Sequence, residues 1–585
     1  KVSTVSLVDV RITSRRKVRS VEAVERFWLS LADNVVLLVV AMPLVGAGLV
    51  RLMKSSGPEP VYFTGLVNVW LTAAMTLIMV ARFEPGQPDA SEFSTRMTSS
   101  LSWVAEWQTQ SPSGPWRPVG PDVRLSVGVN RYSLWFLVLT VSTTLAAFRS
   151  ISSDDPRLVS KLSWLLVTES AMLGSFAAQD VILLAMCCQV STLGLFFLIG
   201  QGGDPKRREA ARRFFRTQVV SGMLILFSLA GAASSHWWML VTVDAENADL
   251  TFSLRRIVSS VPQLAYETEA AHDLWMDVSP WLFLSLCAGL LLRLPMPPFH
   301  HWWYRVSEHA DSRIVAIMAV GYVPFSFYAA ARILVPLFPE HVEQIAPRLF
   351  LWGFLAALFL SASIVATDNP RRKLIAAGMV SGCLAFVSIM FGDAASTQGG
   401  LLLTVVSCGS LALLHLYFVA EKDERLEQRR LPRATNWVRR LTVLLGLAGV
   451  SVIPLSGSFW GEFLILQSVF KRDAAAAFWL IIAAFMVAIS LRHCWPVFLP
   501  NDSQPARQHD DGLTQSISNR RVMPLMPIVF VLAAAAVVPQ WILGPPQTLA
   551  PESAGAAFLP VDSNQAVSDE PLKSLSLAKS APNAE

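Results

Sequence analysis

Hydrophobic residues along this chain gather into repeated runs of about 20, separated by shorter polar connections. A helix of about 20 apolar residues crosses the ~30 Å hydrocarbon core of a bilayer, so each run predicts a membrane-spanning helix. The runs have approximate limits at 34–53, 63–81, 132–149, 162–178, 181–199, 218–240, 279–297, 314–337, 349–367, 374–392, 400–420, 441–469, 474–498 and 523–544. The pattern therefore predicts an all-α polytopic membrane protein with about 14 spans.

Four polar segments lie outside these runs. Residues 1–33 are basic and lack the apolar core of a cleavable signal peptide. Residues 82–131, rich in Ser, Pro and Trp, predict a long outer loop, and residues 499–521 predict a charged inner loop. The tail 545–585 is rich in Ala, Ser and Pro, a composition that predicts disorder.

Basic residues are unevenly distributed among the connections. Connection 200–217 holds six lysines and arginines and 421–440 is similarly basic, whereas 178–180 and 393–400 hold none. Because basic loops stay on the cytoplasmic side, the loops after odd-numbered spans are predicted inside and both termini outside. The basic N-terminal segment argues mildly against this orientation, but the internal loops are several and agree.

Composition narrows the classes of function. Hydrophobic residues make up 53% of the 585 and charged residues 16%, against about 25% charged in soluble domains. The net charge of +5 suits loops that face anionic lipid and does not indicate nucleic acid. The six cysteines show no metal or disulfide spacing, and the pair Cys187–Cys188 is interpreted as small apolar filler. With no Gly-rich nucleotide loop either, we expect no cofactor, no metal and no catalytic residue for redox chemistry in this chain.

Proline interrupts the seventh run directly after a charged residue. Arg293 is followed by Pro295 and Pro298 and by a His-His-Trp-Trp cluster that begins at His300. Proline breaks a helix and frees carbonyls, and in lipid such a break survives only when protein or a water-filled cavity surrounds it. A charge at this depth costs ~3 kcal/mol or more and usually marks an ion path. Arg293 is therefore the leading candidate site residue, and the His300 cluster is expected near the interface.

A second interrupted run lies five spans later. Pro454, Gly457 and Gly461 break span twelve, and Glu462 follows the break. A carboxylate at this position indicates a functional group, although a helix-end cap is the alternative.

Paired interruptions at corresponding places indicate an internally repeated transporter fold. The breaks in spans 7 and 12 predict two inverted five-helix repeats, one over 162–337 and one over 349–498. The segment 34–149 would hold spans one to three, and 499–544 would hold the inner loop and span fourteen.

Two further ionisable residues lie within predicted spans. Glu169 in span four is either a replacement partner for Arg293 or an interfacial glutamate that caps the span. His415 follows Cys408 by two helical turns and so shares its face, which makes it either a substitute proton carrier or a packing histidine with satisfied hydrogen bonds.

Short motifs occur in order on corresponding spans. They comprise Val127–Asn130 with Ser133 and Leu134; Arg293, Leu294, Pro295, Pro298, His300 and Trp302; Tyr328 and Arg332; Thr367, Asp368 and 372–376; and Gly457, Phe459 and Gly461–Phe463. Over roughly residues 116–470 the chain thus resembles the antiporter-like membrane subunits of respiratory complex I and of the Mrp cation/proton antiporters, most of all the M type. The tail is too polar and short for the lateral helix of the L type.

The resemblance implies proton translocation along buried Lys, Glu and His residues joined by water, with a span-five glutamate paired to a span-seven lysine. This sequence departs from that pattern at most positions, which hold Gln189, Arg293, Pro324, Gly382 and Cys408, and retains Glu462. Gln189 cannot carry a charge, and arginine stays protonated where lysine can be neutralised. Pro324 removes an exchangeable site and predicts a kink. The first half is therefore poorly equipped for proton loading.

Two classes of function remain. The first is a membrane subunit of a complex I-like NADH-quinone oxidoreductase, which contributes to or scaffolds proton translocation in a bacterial-type inner membrane. Its partners would be other membrane subunits and lipid, with quinone bound elsewhere in the complex. The alternative is an ion-transport subunit of another complex (an Mrp-type antiporter, a membrane-bound hydrogenase or an inorganic-carbon uptake system) or a non-conducting structural paralogue. A stand-alone secondary transporter would need convergent polar groups at mid-depth, and the spans show few.

Overall fold

The structure is a computed structural model of the chain. It describes residues 34–83, 97–102, 108–109, 117–118, 124–243, 250–390, 393–426, 436–451, 456–492, 525–537 and 539. The predictions for segments 1–33, 499–521 and 545–585, and for Pro454, lie outside these residues.

Helices dominate the described part. The first twelve are α1 (Val35–Leu52), α2 (Pro58–Arg82), α3 (Arg131–Arg149), α4 (Leu158–Ala177), α5 (Val181–Gly200), α6 (Pro205–Val243), α7 (Leu254–Leu264), α8 (Glu269–Arg293), α9 (His301–His309), α10 (Ser312–Gly321), α11 (Phe325–Ala329) and α12 (Val335–Leu337). The remaining seven are α13 (Pro339–Ala366), α14 (Pro370–Ile389), α15 (Ala394–Leu426), α16 (Asn436–Val450), α17 (Gly457–Arg472), α18 (Ala474–Arg492) and α19 (Met526–Val537). A 3₁₀ turn (Met53–Ser56) follows α1, and a π-helical turn (Ala330–Leu334) joins α11 to α12.

Eleven helical segments within the described residues are long and apolar enough to cross a membrane, when α10 to α12 are counted as one interrupted segment. The helices α16 and α19 are shorter and apolar. Every predicted apolar run overlaps a helix, so the expected class, an all-α polytopic membrane protein, is confirmed. Two short helices, α7 and α9, were not expected from the hydrophobic runs.

A small antiparallel hairpin covers one end of the bundle, within the segment predicted as a loop. Strand β1 (Met97–Ser102) pairs with β4 (Arg124–Val129), and the two-residue strands β2 (Gln108–Thr109) and β3 (Arg117–Pro118) pair with each other. Leu125, Val127 and Val129 alternate with smaller or polar residues, the period of a strand with two different faces. A bridge from Val127 to Ala178 fastens β4 to the end of α4.

Capping residues fix where the site helices begin. Asn130 and Ser133 form a capping box at the start of α3, and Asp180 accepts from Ile182 N at 2.7 Å at the start of α5. Asp311 caps α10 and pairs with Arg313 at 3.0 Å. Burial of Asp311 acts to raise its pKa, but the Arg313 charge and hydrogen bonds outweigh this and hold the pKa below its usual value. The start of α10 is thereby fixed against its neighbours.

Glycine allows a close contact between two helix backbones in the second half. Gly461 of α17 packs on Gly399 and Leu403 of α15, and a Cβ at Gly461 would lie 2.8 Å from the Gly399 carbonyl oxygen. Helix backbones approach this closely in membranes only where small residues meet. The crossing therefore sets the position of Glu462, the next residue.

Candidate functional site

Arg293 is the last residue of α8, and its side chain is buried with 1% of its surface exposed. Its Cζ atom lies 3.9 Å from the centroid of the Tyr322 ring and 4.7 Å from that of Phe325. A guanidinium held over aromatic faces gains cation–π attraction, ~2 kcal/mol or more when desolvated. Two rings therefore offset part of the cost of burying this charge.

Side chains donate to carbonyls at the end of α8 and within the break that follows it, where helical partners are lost. Gln218 donates to Leu292 O at 3.4 Å, Ser221 donates to Gly289 O at 2.7 Å, and Trp352 donates to Pro297 O at 2.9 Å. Helix α8 ends at Arg293 and the next helix begins at His301, so Pro295 and Pro298 lie between the two helices. Protein covers the break in part, because Pro295 and Met296 are buried, whereas Pro298 and Phe299 are exposed.

Pro324 interrupts the following span and places Tyr322. The helix α10 stops at Gly321, and α11 starts at Phe325, so the predicted kink is confirmed. In the gap, the Tyr322 hydroxyl lies 2.9 Å from Thr192 Oγ1 and donates to Gln218 Oε1 at 3.2 Å. These hydrogen bonds hold the ring against the guanidinium of Arg293.

The expected pairing of Glu169 with Arg293 is wrong for this structure. Both carboxyl oxygens of Glu169 and the Nε and Nη1 atoms of Arg293 are buried without a hydrogen-bond partner among the described residues. Ser175, the α4 residue that contacts the Arg293 region through Cys188, lies six residues beyond Glu169, which is ~9 Å along a helix axis. Glu169 is 0% exposed and lies inside α4, so an interfacial cap is also wrong.

The Gln189 side chain of α5 packs against Gly222 of α6. A Cβ added to Gly222 would collide with the Gln189 carboxamide, and Gln189 Oε1 has no hydrogen-bond partner among the described residues. The α5 side chain beside Arg293 is Cys188. The interpretation of the Cys187–Cys188 pair as filler therefore missed a contact of the central cation, and only the adjacency of Cys188 to Gln189 could have indicated it.

The His300 cluster is mostly internal. Only His301 of the four residues is exposed, whereas His300, Trp302 and Trp303 are buried. The expected position of the cluster near the membrane interface stays a prediction. The rings of His300 and His301 lie 4.4 Å apart, and His300 Nδ1 is buried without a partner in the described part of the chain.

Glu462 occupies the corresponding place in the second half. Helix α16 ends at Val450 and α17 begins at Gly457. The predicted interruption falls mainly on residues 452–455, which lie outside the described residues. Ser456 Oγ caps α17 by accepting from Phe459 N at 3.2 Å, which leaves Glu462, in the second turn, free of the capping role considered for it.

A small cavity adjoins Glu462. It is lined by Ala357 of α13, by Val380, Ser381 and Leu384 of α14, and by Leu480, Ala483 and Val487 of α18, among others. Its volume of ≈ 10 Å³ for the centre of a water-sized sphere is about the space that one water needs. The carboxyl group is partly buried and lies where it can exchange a proton with such a water.

His415 on α15 is 0% exposed, and neither ring nitrogen has a hydrogen-bond partner in the described residues. A packing histidine with satisfied hydrogen bonds is therefore wrong. Its ring lies 6.2 Å from that of Phe418, over which Arg371 stacks at 5.6 Å. The structure brings His415 near a cation rather than near Glu462.

A hydrogen-bonded cluster around Arg332 joins three parts of the first half. Arg332 Nη1 donates to Ala178 O at 3.1 Å and to the Tyr328 hydroxyl at 2.6 Å, and Nη2 donates to Gln179 Oε1 at 2.7 Å. The Tyr328 hydroxyl donates to Phe176 O at 2.9 Å. The motif pair Tyr328 and Arg332 thus holds the α4–α5 junction to the π-helical turn.

Arg332→Met should lower the stability of the protein by about 3 kcal/mol or more, because it leaves buried acceptors without donors. The measurement is the thermal unfolding midpoint of the purified protein. Arg348→Met, at an exposed position of α13, is the control and should leave the midpoint unchanged. Equal midpoints for the two variants would contradict a structural role for the Arg332 cluster.

The fold and the site together define a polytopic helical membrane protein with buried ionisable side chains at interrupted helices. The chain belongs to the NADH:quinone oxidoreductase/Mrp antiporter, TM family, whose model matches residues 178–490. It is 23% identical to NADH-quinone oxidoreductase subunit M of Rhodobacter capsulatus over 461 residues, which are 76% of this chain and 82% of that protein. It is 25% identical to subunit 13 of the Thermus thermophilus enzyme over 63% of this chain and 75% of that one.

Solved structures show the same fold. A chain of respiratory complex I from Thermus thermophilus matches with a TM-score of 0.65 at 18% identity, covering 87% of this chain and 96% of that one. A chain of the Mrp complex from Dietzia matches with a TM-score of 0.64 at 15% identity, covering 88% and 96%. These likenesses confirm the resemblance expected from the motifs.

Proposed function

We propose that this chain is an antiporter-like membrane subunit of a complex I-like NADH-quinone oxidoreductase and contributes to proton translocation coupled to electron transport. The observation that carries the proposal is Glu462, a partly buried carboxyl group beside a helix interruption and a cavity of water size. Family membership and the subunit M relatives support it. The electron-transfer groups and the quinone would lie in other subunits of a bacterial inner-membrane complex.

The second half is the better equipped for proton transfer. A carboxyl group can bind and release a proton within the membrane when water reaches it on one side and low-dielectric helices surround it on the others. The cavity between α13, α14, α17 and α18 supports this role for Glu462, because it has room for about one water and is lined mostly by apolar side chains. The Ser381 hydroxyl, which also lines that cavity, can donate to or accept from the water there.

The first half carries a fixed charge at the corresponding place. Arg293 stays protonated at accessible pH, Pro324 has no exchangeable proton and Gln189 has no charge. These three residues favour one alternative, a half that holds the fold and subunit contacts without exchanging protons at the family's lysine positions. Glu169 remains as a buried carboxyl group in this half, away from Arg293.

We also propose the finer architecture. Fourteen spans would form two inverted five-helix repeats over 162–337 and 349–498, with both termini on the outer side. Support comes from the break between α8 and α9 and from Pro454, Gly457 and Gly461 of the corresponding span in the sequence. The basic segments 200–217 and 421–440, which fall on one side under this arrangement, support it as well.

Purification of the chain with its native partners tests the proposed function. We expect it to co-purify with subunits that oxidise NADH and reduce quinone, and vesicles that contain the complex should move protons when NADH is added. Co-purification instead with cation-antiporter, hydrogenase or carbon-uptake subunits, without NADH-driven proton movement, would replace the proposal by the corresponding alternative.

A further inference from the structure

The buried guanidinium of Arg293 lacks a carboxylate partner in the described structure. Its Nε and Nη1 donors are unpartnered, and the Gln189 amide lies over α6. The polar side chain directly beside it is Cys188 of α5, which is 2% exposed and donates from Sγ to Ser175 Oγ at 3.8 Å. A buried, unpaired cation and a buried thiol therefore share one site at the centre of the first half.

The helices packed around the Cys188 thiol bring few ionisable groups close to it. Arg293 on α8, Tyr322 at the end of α10 and Cys187 on α5 itself are the titratable or charged groups that interact with it in the described residues. The helix α4 contributes only the uncharged Ser175. The Tyr322 hydroxyl is held by hydrogen bonds with Thr192 and Gln218 at 2.9 and 3.2 Å. The Cys188 thiol makes only a weaker contact with Ser175 at 3.8 Å among the hydroxyls around it, so it is the less tightly held of the two acids beside Arg293.

We propose that Cys188 is the proton-exchanging group of the first half and that its thiolate is the counter-ion of Arg293. In the step, the S–H bond breaks, its electron pair stays on sulfur, and the proton passes to water. The resulting thiolate and guanidinium form a neutral pair, and reprotonation restores the thiol beside a lone cation. This inference rests on the proposed function for its meaning in translocation, although the thiolate itself does not depend on which complex contains the chain.

The site differs chemically from a pair of glutamate and lysine. In a glutamate–lysine pair, the protonated lysine releases the proton beside a carboxylate that stays charged. At this site, the neutral thiol of Cys188 releases the proton beside the guanidinium of Arg293, which stays charged. Burial opposes a thiolate, but an adjacent permanent cation favours it, and a thiolate would also relieve the cost of burying an arginine without a counter-ion. The Ser175 hydroxyl, which now donates to Ala171 O at 2.8 Å, can turn to donate to the thiolate.

Infrared spectroscopy of the complex purified from native membranes tests the proposal through the S–H stretching band. The band assigned to Cys188, obtained as the difference between wild type and Cys188→Ser, should be present at acidic pH and lost as the pH rises. Cys187→Ser is the matched control, since Cys187 faces Gly174 of α4, and it should leave the titrating band unchanged. Arg293→Met should keep the Cys188 S–H band at every pH.

A Cys188 band that persists unchanged across the pH range in the wild-type complex would overturn the inference, even if the complex pumps protons. A titrating band in a complex without NADH-driven proton movement would support the thiolate pair and count against the proposed function. If Arg293→Met does not assemble, the difference between the wild-type and Cys188→Ser spectra still shows whether the Cys188 thiol loses its proton as the pH rises. In a pumping complex, Cys188→Ser should lower the proton-to-electron ratio, and Cys187→Ser should not.

Discussion

Replacing Glu462 by glutamine is expected to slow proton transfer through the second half by about 10²-fold or more, the usual contribution of a positioned acid–base side chain. Glutamine has nearly the same shape, so the crossing of α15 and α17 and the adjoining cavity should persist. The amide cannot take up a proton from the cavity water. The measurement is the proton-to-electron ratio of vesicles during NADH oxidation, which should fall while the complex remains assembled.

Two companion variants sharpen the Glu462 experiment. Glu462→Asp retains a carboxyl group and should retain part of the proton movement, which a purely steric role would not predict. Glu343→Gln changes an exposed glutamate on α13 and should leave the ratio unchanged. A wild-type ratio in Glu462→Gln, at a normal amount of complex, would favour a second half that serves only as a scaffold.

Much of the fold could be predicted from the sequence because a segment that crosses lipid must pair its own backbone polar groups and present apolar side chains. Helices must satisfy their own hydrogen bonds, so long apolar runs locate them, and prolines locate the interruptions. The ends of α8 and α10 illustrate this, since Pro295 and Pro324 follow them directly. The hairpin of β1 and β4 was not predicted because each strand has only six residues. The alternation of Leu125, Val127 and Val129 in β4 is too short to distinguish a strand from a loop in the sequence.

The chemistry of the site was harder to predict because it depends on the position of each side chain along its helix and on the rotation of that helix about its own axis. Glu169 and Arg293 lie on spans expected to be neighbours, yet the helical rise places Glu169 ~9 Å below the residue of α4 that contacts this region. Cys188 was not predicted as a site residue for a different reason, which concerns its chemistry and not its position. A thiol resembles apolar filler in a sequence, and only the placement of the guanidinium beside it gives it a chemical role.

Arg293→Ala is expected to reduce both the amount of assembled protein and the proton-coupled activity. The substitution removes cation–π contacts worth ~2 kcal/mol and leaves a space beneath the rings of Tyr322 and Phe325, and truncation of large buried side chains costs about 2–5 kcal/mol. Removal of an unpaired buried charge offsets part of this loss. The net loss should lower the amount of assembled complex several-fold or more, as a loss of about 1–2 kcal/mol already does in cells. The yield from membranes and the proton-to-electron ratio are the measurements.

Arg293→Met separates the packing of the arginine side chain against the rings from the effect of its positive charge. Methionine fills most of the space beneath the rings and carries no charge, so assembly should be close to wild type while proton-coupled activity is lost. Arg305→Ala, at an exposed position of α9, is the control for a general effect of removing positive charge. Normal yield and normal proton movement in both Arg293 variants would show that the guanidinium supports neither packing nor transport. Normal assembly with lost transport in Arg293→Met alone would assign the charge itself to the proton path, because the packing would then be accounted for by the volume of the side chain.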